Sequence, residues 1–175
     1  MQNITKVSRT VPGLDEQLRV RLVVGLNQNL ASLTDLATAY KQAHWNVVGI
    51  DFAQLHVLFD QFADQTRDYV DLIAERAVTI GGVARGTIQA AVEHSTLPAF
   101  LIEERDEVRL LEELVRRTDI LTADLRGAMD ESAAEAATQD IYIEVVRGIE
   151  KQRWMLQSHL ASRWLGDGRE PRGGD

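Results

Sequence analysis

The stretch that organises this chain is residues 41–82, which read KQAHWNVVGIDFAQLHVLFDQFADQTRDYVDLIAERAVTIGG. It contains the end of one predicted helix, a short break at residues 46–51, and a second helix at residues 52–80 that a Gly-Gly pair ends. The break is short enough for an antiparallel turn between two helices. The stretch therefore predicts a helical hairpin that carries regularly spaced polar side chains.

Apolar residues at steps of three and four extend this pattern to four long helices. The first begins near Asp15, the third covers residues 104–129, and the fourth covers about residues 132–165. Ser132 and Glu135 have the spacing of a capping box at the start of the fourth helix. The charged run before and into the third helix, EERDE, is interpreted as a solvated helix start in which acids favour the helix dipole.

A connection of about twenty residues joins the second and third helices, with a short possible helix at residues 88–92. A hairpin needs a much shorter link. The pattern therefore predicts an all-α, ferritin-like four-helix bundle with a long crossover between the second and third helices. We expect a flexible N-terminal arm at residues 1–14, the four-helix domain at residues 15–165, and a disordered C-terminal tail at residues 166–175.

Composition excludes several classes of protein. The chain has 175 residues, 45% apolar and 26% charged, which is typical of one soluble globular domain. The absence of cysteine excludes disulfides, thiolate zinc sites and a cysteine nucleophile. We expect a cytoplasmic protein, because no secretory signal and no run of about 18 apolar residues is visible. A net charge of −8 disfavours attraction to nucleic acid or anionic membranes.

Two pairs of potential metal ligands lie on one face of the second helix. His56 and Asp60 are four residues apart, as are Asp71 and Glu75, so each pair lies at neighbouring height. The eleven residues from Asp60 to Asp71 return the helix to within about 20° of the same direction, but they separate the pairs by about 16 Å along the axis. One chain therefore cannot close a single site from both pairs.

A two-fold dimer can bring the pairs together. If the second helix packs antiparallel on its copy, His56 and Asp60 of one subunit face Asp71 and Glu75 of the partner subunit. His44 ends the first helix and returns close to the second after the turn. Nitrogen and oxygen ligands without sulfur suit iron, manganese or zinc.

The alternative to a metal site is a plain solvated helix face. Aromatic residues flank the histidines, namely Trp45, Phe52 and Phe59. An exposed polar face would not need them, and their presence favours the metal site.

The same stretch resembles a known family signature. The resemblance is carried by KQAHWNVVG at residues 41–49, by F-x-x-L-H-x-x-F-D at residues 52–60, and by D-x-x-x-E-R at residues 71–76 before the Gly-Gly pair. This is similar to the signature of the Dps family, the DNA-protecting miniferritins of starved bacterial cells. The resemblance implies a homo-oligomer, a hollow dodecamer built from two-fold dimers, that oxidises iron(II) with hydrogen peroxide and stores the iron(III) mineral inside.

Site residues follow from the resemblance one by one. It assigns the shared ferroxidase site to five residues, His44, His56, Asp60, Asp71 and Glu75. It makes Trp45 the tryptophan beside the iron, a trap for stray oxidising equivalents. The implied metal is iron, with zinc or manganese as substitutes.

DNA is a partner that the resemblance also suggests. Some family members condense DNA through Lys-rich tails, but the N-terminal arm here has only Lys6 and Arg9, and the C-terminal tail sets Arg169 and Arg172 against three acids. Direct DNA binding would make the protein nucleoid-associated. The alternative function is a non-enzymatic protein that shields DNA and holds a structural metal, which a gel shift at moderate salt would distinguish.

Overall fold

The structure is a computed structural model that describes residue 11 and residues 13–166, with side chains up to residue 161. It has five α-helices, α1 (Glu16–Asn46), α2 (Phe52–Thr79), α3 (Ile88–His94), α4 (Glu107–Glu131) and α5 (Ala136–Gly166). Within this part of the chain the only β-type pairing is an isolated bridge between Val48 and Asp106. The predicted all-α, ferritin-like fold is confirmed.

The four long helices pack as two pairs around one apolar core. α1 packs along α2, α4 packs along α5, and the apolar stripes predicted for the helices line the space between them. A few polar groups cross this core. The Tyr40 hydroxyl donates to the Gln152 side-chain oxygen at 3.1 Å, and the Gln152 amide donates to the Thr66 hydroxyl at 3.3 Å. These three side chains thereby satisfy one another, and burial raises the pKa of Tyr40, which remains a neutral donor.

The crossover from α2 to α4 is tied to the bundle by a buried arginine. Arg117 of α4 is fully buried, pairs with Asp35 of α1, and donates to the backbone oxygen of Pro98 in the crossover. Asp35 also accepts from the Ser95 hydroxyl at 2.7 Å. A buried guanidinium is tolerated only when acidic and carbonyl oxygens surround it. This network fixes the crossover against α1 and α4.

The direction of α4 follows from where the crossover ends. The backbone N–H of Val48, in the turn between α1 and α2, donates to the carbonyl oxygen of Arg105 at 2.8 Å. The first turn of α4 therefore lies beside the α1–α2 turn, and α4 runs parallel to α2. A long crossover has this consequence, whereas a hairpin would make the two helices antiparallel.

The third long helix begins three residues later than the predicted Glu104. The Asp106 carboxylate accepts from the backbone N–H groups of Val108 and Arg109, each at 3.1 Å. These are the bonds of an N-cap residue, so the helix starts at Glu107.

The predicted capping box at the fourth long helix is wrong. The Ser132 hydroxyl donates to the Met129 carbonyl oxygen at 2.8 Å and so belongs to the end of α4. The Glu135 carboxylate instead accepts from the Thr138 backbone N–H at 2.8 Å and caps α5. Because Arg76 of α2 donates to the same carboxylate, this cap also ties α5 to the end of α2.

Most of the predicted arm, and the tail apart from Gly166, lie outside the described residues, so their disorder stays a prediction. Of the arm, the partly buried Val11 and Leu14 pack against the core. Across the described helices, none combines the length and the apolar character needed to cross a membrane.

Candidate metal centre

The turn between α1 and α2 is held by the first residue of α4. The Glu107 carboxylate is buried and accepts from the backbone N–H groups of Ile50 and Asp51, each at 2.9 Å. Gly49 allows this approach, since a Cβ there would lie 1.8 Å from the Glu107 Cδ. The first residue of α4 thus fixes the α1–α2 turn through two hydrogen bonds.

Replacing Gly49 by alanine is expected to destabilise the protein by about 2 kcal/mol, because the new methyl group must push the Glu107 carboxylate away from its two N–H donors. Thermal unfolding followed by circular dichroism measures the loss. Gly127→Ala in α4 is the matched control: nothing lies within 4 Å of its added Cβ, and alanine favours a helix over glycine by about 1 kcal/mol. A Gly49→Ala protein as stable as this control would contradict the packing of Glu107 on the turn.

Two histidines on either side of this turn orient each other. The rings of His44 and His56 stack with their centroids 3.8 Å apart and 21° between planes. His44 Nδ1 donates to the His56 carbonyl oxygen at 2.7 Å, and His56 Nδ1 donates to the His44 carbonyl oxygen at 2.8 Å. A carbonyl only accepts, so both Nδ1 atoms carry a proton, which leaves Nε2 as the ring nitrogen that could bind a metal ion. This is the tautomer that a metal-binding histidine with a fixed outer hydrogen bond adopts.

Asp60 lies one helical turn after His56 and contacts the ammonium group of Lys41. The hydrogen bond from Lys41 lowers the pKa of Asp60 by more than desolvation raises it. The carboxylate is therefore ionised at neutral pH, as an oxygen ligand must be. The Lys41 ammonium also lies 5.9 Å from the centroid of the Trp45 ring.

Two of the three aromatic residues predicted near the histidines lie on the surface beside them. Trp45 is 67% exposed and Phe52 is 48% exposed, and the Phe52 ring centroid lies 5.2 Å from that of His56. Phe59 instead faces the core. Large aromatic side chains left open beside a polar cluster mark a surface suited to contact with another molecule.

The second pair of predicted ligands lies further along the same helix. Asp71 and Glu75 are both exposed. Because α2 is unbroken from Phe52 to Thr79, Asp60 and Asp71 are separated by about 16 Å along its axis. Within residues 11 and 13–166, no three histidine, cysteine, aspartate or glutamate side chains come together in a group that could hold a metal ion. One subunit thus presents two separate sets of predicted ligands, the first and second half-sites, rather than a closed site.

The donors of the first half-site fit a divalent first-row metal ion. They are two imidazole Nε2 atoms and one ionised carboxylate, and the chain offers no thiolate. Imidazole nitrogen and carboxylate oxygen are ligand types that iron, manganese and zinc accept. The two acids of the second half-site would add hard oxygen ligands, which iron and manganese accept.

Sequence reasoning missed two residues that shape this site. Glu107 was assigned to a solvated helix start, which is wrong, because only 3% of it is exposed. The sequence around Glu107 does not indicate its burial, because the residues that it contacts lie in the α1–α2 turn and only the crossover brings them together. The position of Lys41 near the histidines could have been predicted, because it lies three residues before His44 on the same side of α1.

Comparison with protein families gives a match over most of the chain. The model of the ferritin-like domain family matches residues 24–163. This range contains the whole of α2 and α4, both half-sites and the crossover between them.

Individual relatives agree with this match. The DNA protection during starvation protein of Agrobacterium fabrum is 34% identical over 160 residues, which cover 90% of this chain and 99% of the relative. The protein of the same name from Mycolicibacterium smegmatis is 31% identical over 157 residues, which cover 89% and 85%. The solved structure of DpsA14 from Streptomyces coelicolor superposes with a TM-score of 0.84 at 34% identity, covering 95% of this chain and 94% of that one.

Proposed function

The chain belongs to the Dps family of ferritin-like proteins, and we propose that it oxidises iron(II) and stores the iron(III) product inside a hollow shell of its own copies. The observation that carries this proposal is the separation of two sets of ligand-type side chains, one around the α1–α2 turn and the other further along α2. One half-site offers His44, His56 and Asp60 around the α1–α2 turn, and the other offers Asp71 and Glu75. Each half is an incomplete set of ligands for iron.

An antiparallel dimer along α2 completes both sites at once. A single register sets His56 opposite the partner's Glu75 and Asp60 opposite the partner's Asp71, because the spacing within the two pairs is equal. The same register sets Arg67 opposite the partner's Asp64. Opposite charges then meet near the two-fold axis, although within one subunit Arg67 also pairs with its own Asp64 at 2.7 Å.

Exposed apolar residues on α2 support the same register. Phe52 near the start of the helix and Val78 near its end are 48% and 44% exposed. In the antiparallel dimer, Phe52 of one subunit approaches the partner's Val78 at each end of the interface. Burying such pairs supplies the apolar contribution that a stable homodimer needs.

The completed site would catalyse the transfer of two electrons from iron(II) to hydrogen peroxide. Two iron(II) ions each give one electron to one hydrogen peroxide molecule, whose O–O bond breaks and which leaves as two waters after taking up two protons. Paired delivery of electrons avoids the release of hydroxyl radical. The exposed indole of Trp45 lies beside the site and would intercept a stray oxidising equivalent.

Protection of DNA follows from this chemistry without direct contact. Removing iron(II) and peroxide together removes the reagents that damage DNA in the cytoplasm. The acidic character of the chain, with a net charge of −8, favours drawing cations towards such a shell. The cationic residues of the arm and tail that could bind DNA lie outside the described residues. The assembly is proposed to be a dodecamer built from two-fold dimers.

Iron loading tests the shell and the storage function together. After iron(II) and hydrogen peroxide are added, electron microscopy is expected to show hollow particles with electron-dense centres. The same particles treated with zinc(II) and peroxide are the control and should stay empty, since zinc has no accessible higher oxidation state. Dispersed dimers, or particles without dense centres after iron loading, would contradict the proposal.

A further inference from the structure

The relative position of the two histidine ligands depends on the turn that joins their helices. His44 lies two residues before the last residue of α1, and His56 lies four residues after the first residue of α2. Each imidazole donates to the backbone carbonyl group of the other histidine, at 2.7 and 2.8 Å. A shift between the end of α1 and the start of α2 would therefore break these hydrogen bonds and reorient both rings.

The start of α2 is held by a side chain from another helix. The side chain of Asp51, the N-cap residue of α2, makes no cap hydrogen bond, and the first turn contains no acidic residue. Glu107 of α4 supplies the missing carboxylate, which accepts from the backbone N–H groups of Ile50 and Asp51. In a capping box, an acid of the same helix accepts from the N-cap N–H group in this way. Glu107 thus does for α2, from α4, what a residue of the first turn does in other helices.

A second contact fixes the same turn against α4. The backbone N–H of Val48 donates to the carbonyl oxygen of Arg105, two residues before Glu107, at 2.8 Å. Between these contacts, Gly49 lets the Glu107 carboxylate lie against the backbone. Only 3% of Glu107 is exposed, so water has little access to its two hydrogen bonds. The start of α4 therefore sets where residues 48–51 lie between α1 and α2.

On the basis of the iron site proposed above, we propose that Glu107 is a positioning residue for the ligands His44 and His56. It holds the α1–α2 turn in a geometry in which the two rings bond to each other's carbonyl groups, and those bonds fix the direction of both Nε2 atoms. Loss of an outer hydrogen bond of a metal-binding histidine commonly costs about 10- to 100-fold in metal affinity. The nitrogen donors of the first half-site are thus oriented by a helix that supplies none of its ligands.

A cobalt(II) titration tests this role without oxidation chemistry, because the visible absorption of cobalt(II) reports the ligands around the ion. The full-length protein is compared with its Glu107→Gln variant, which keeps the side-chain size and loses the charge and one acceptor oxygen. The variant is expected to bind cobalt about tenfold more weakly, with a changed absorption spectrum. Gly49→Ala displaces the carboxylate without a change in charge and is expected to have the same effect.

The double variant Gly49→Ala/Glu107→Gln shows whether both substitutions act through one contact. If they do, the double variant binds cobalt about tenfold more weakly than the unsubstituted protein, as each single variant does. Independent effects would multiply to about a hundredfold. That larger loss would overturn the role of the contact between Glu107 and the turn.

Glu113→Gln is the matched control. Glu113 lies on the same helix, is 6% exposed and loses the same charge, but its carboxylate accepts from Arg116 within α4. Its cobalt affinity is expected to stay within about twofold, with an unchanged spectrum, because charge at a distance is screened. Thermal unfolding measures the stability that each variant loses. Lower stability with unchanged cobalt affinity and spectrum in Glu107→Gln and Gly49→Ala would show a purely structural role and overturn the proposal.

His56→Ala separates the positioning role from the iron site. A cobalt spectrum that does not depend on His56 would overturn the iron site and the positioning role together. A spectrum that depends on His56 but is unchanged in Glu107→Gln and Gly49→Ala would overturn the positioning role alone. All spectra are recorded below the unfolding temperature of each variant, so that a measured change is in binding and not in folding.

Discussion

Peroxide-dependent iron(II) oxidation is expected to fall by about a hundredfold or more when His44 and His56 are both replaced by alanine. The substitutions remove both nitrogen donors of the half-site and leave Asp60 as its only ligand. Loss of even an outer-shell partner of a ligand commonly costs 10- to 100-fold. Stopped-flow absorbance of iron(III) at equal protein concentration measures the rate.

The matched control for this variant replaces the other two histidines, His94 and His159, by alanine. Both are half-buried and lie on α3 and α5, outside the α1–α2 hairpin that carries the half-site. This control is expected to keep its oxidation rate. Equal rates for the two double variants would place the oxidation site elsewhere in the protein. Circular dichroism checks that both variants keep the helical fold.

Mixing two inactive variants is expected to restore about a quarter of the activity if the site is shared between subunits. His56→Ala removes a ligand of one half-site, and Asp71→Ala removes a ligand of the other. Random pairing of equal amounts makes about half of the dimers mixed, and each mixed dimer has one intact site out of two. The variants are co-expressed, and iron(II) oxidation per subunit is compared with the unsubstituted protein.

A second mixture controls this experiment. His56→Ala combined with His44→Ala places both defects in the same half-site, so no mixed dimer contains an intact site. This mixture should stay inactive. Recovery in both mixtures, or in neither, would contradict a site built from one half of each subunit.

Much of the candidate site could be predicted because it depends on one helix. The positions of His56, Asp60, Asp71 and Glu75 relative to one another follow from the rise and turn of an α-helix, and α2 is a continuous helix across all four. The same arithmetic showed that the two pairs cannot meet within one chain. Their pairing across a dimer stays a prediction.

Residues whose roles depend on distant partners could not be predicted in this way. Ser132 and Glu135 fit the capping-box pattern, yet each satisfies a different helix end, because Arg76 and Thr138 converge on the Glu135 carboxylate. Sequence pattern reports spacing along the chain. It does not report which carboxylate another helix will engage.

The sequence by itself therefore determined the four long helices, the long crossover and the spacing of the candidate ligands along α2, since periodicity and spacing are local properties. The tertiary structure alone decided how the half-site of residues 41–60 is built. It set the two histidine rings against each other's carbonyl groups, placed Glu107 under the turn, and brought Lys41 to Asp60. The physical reason is that hydrogen bonds and ion pairs between separate segments form only where packing of the whole bundle brings their atoms within reach.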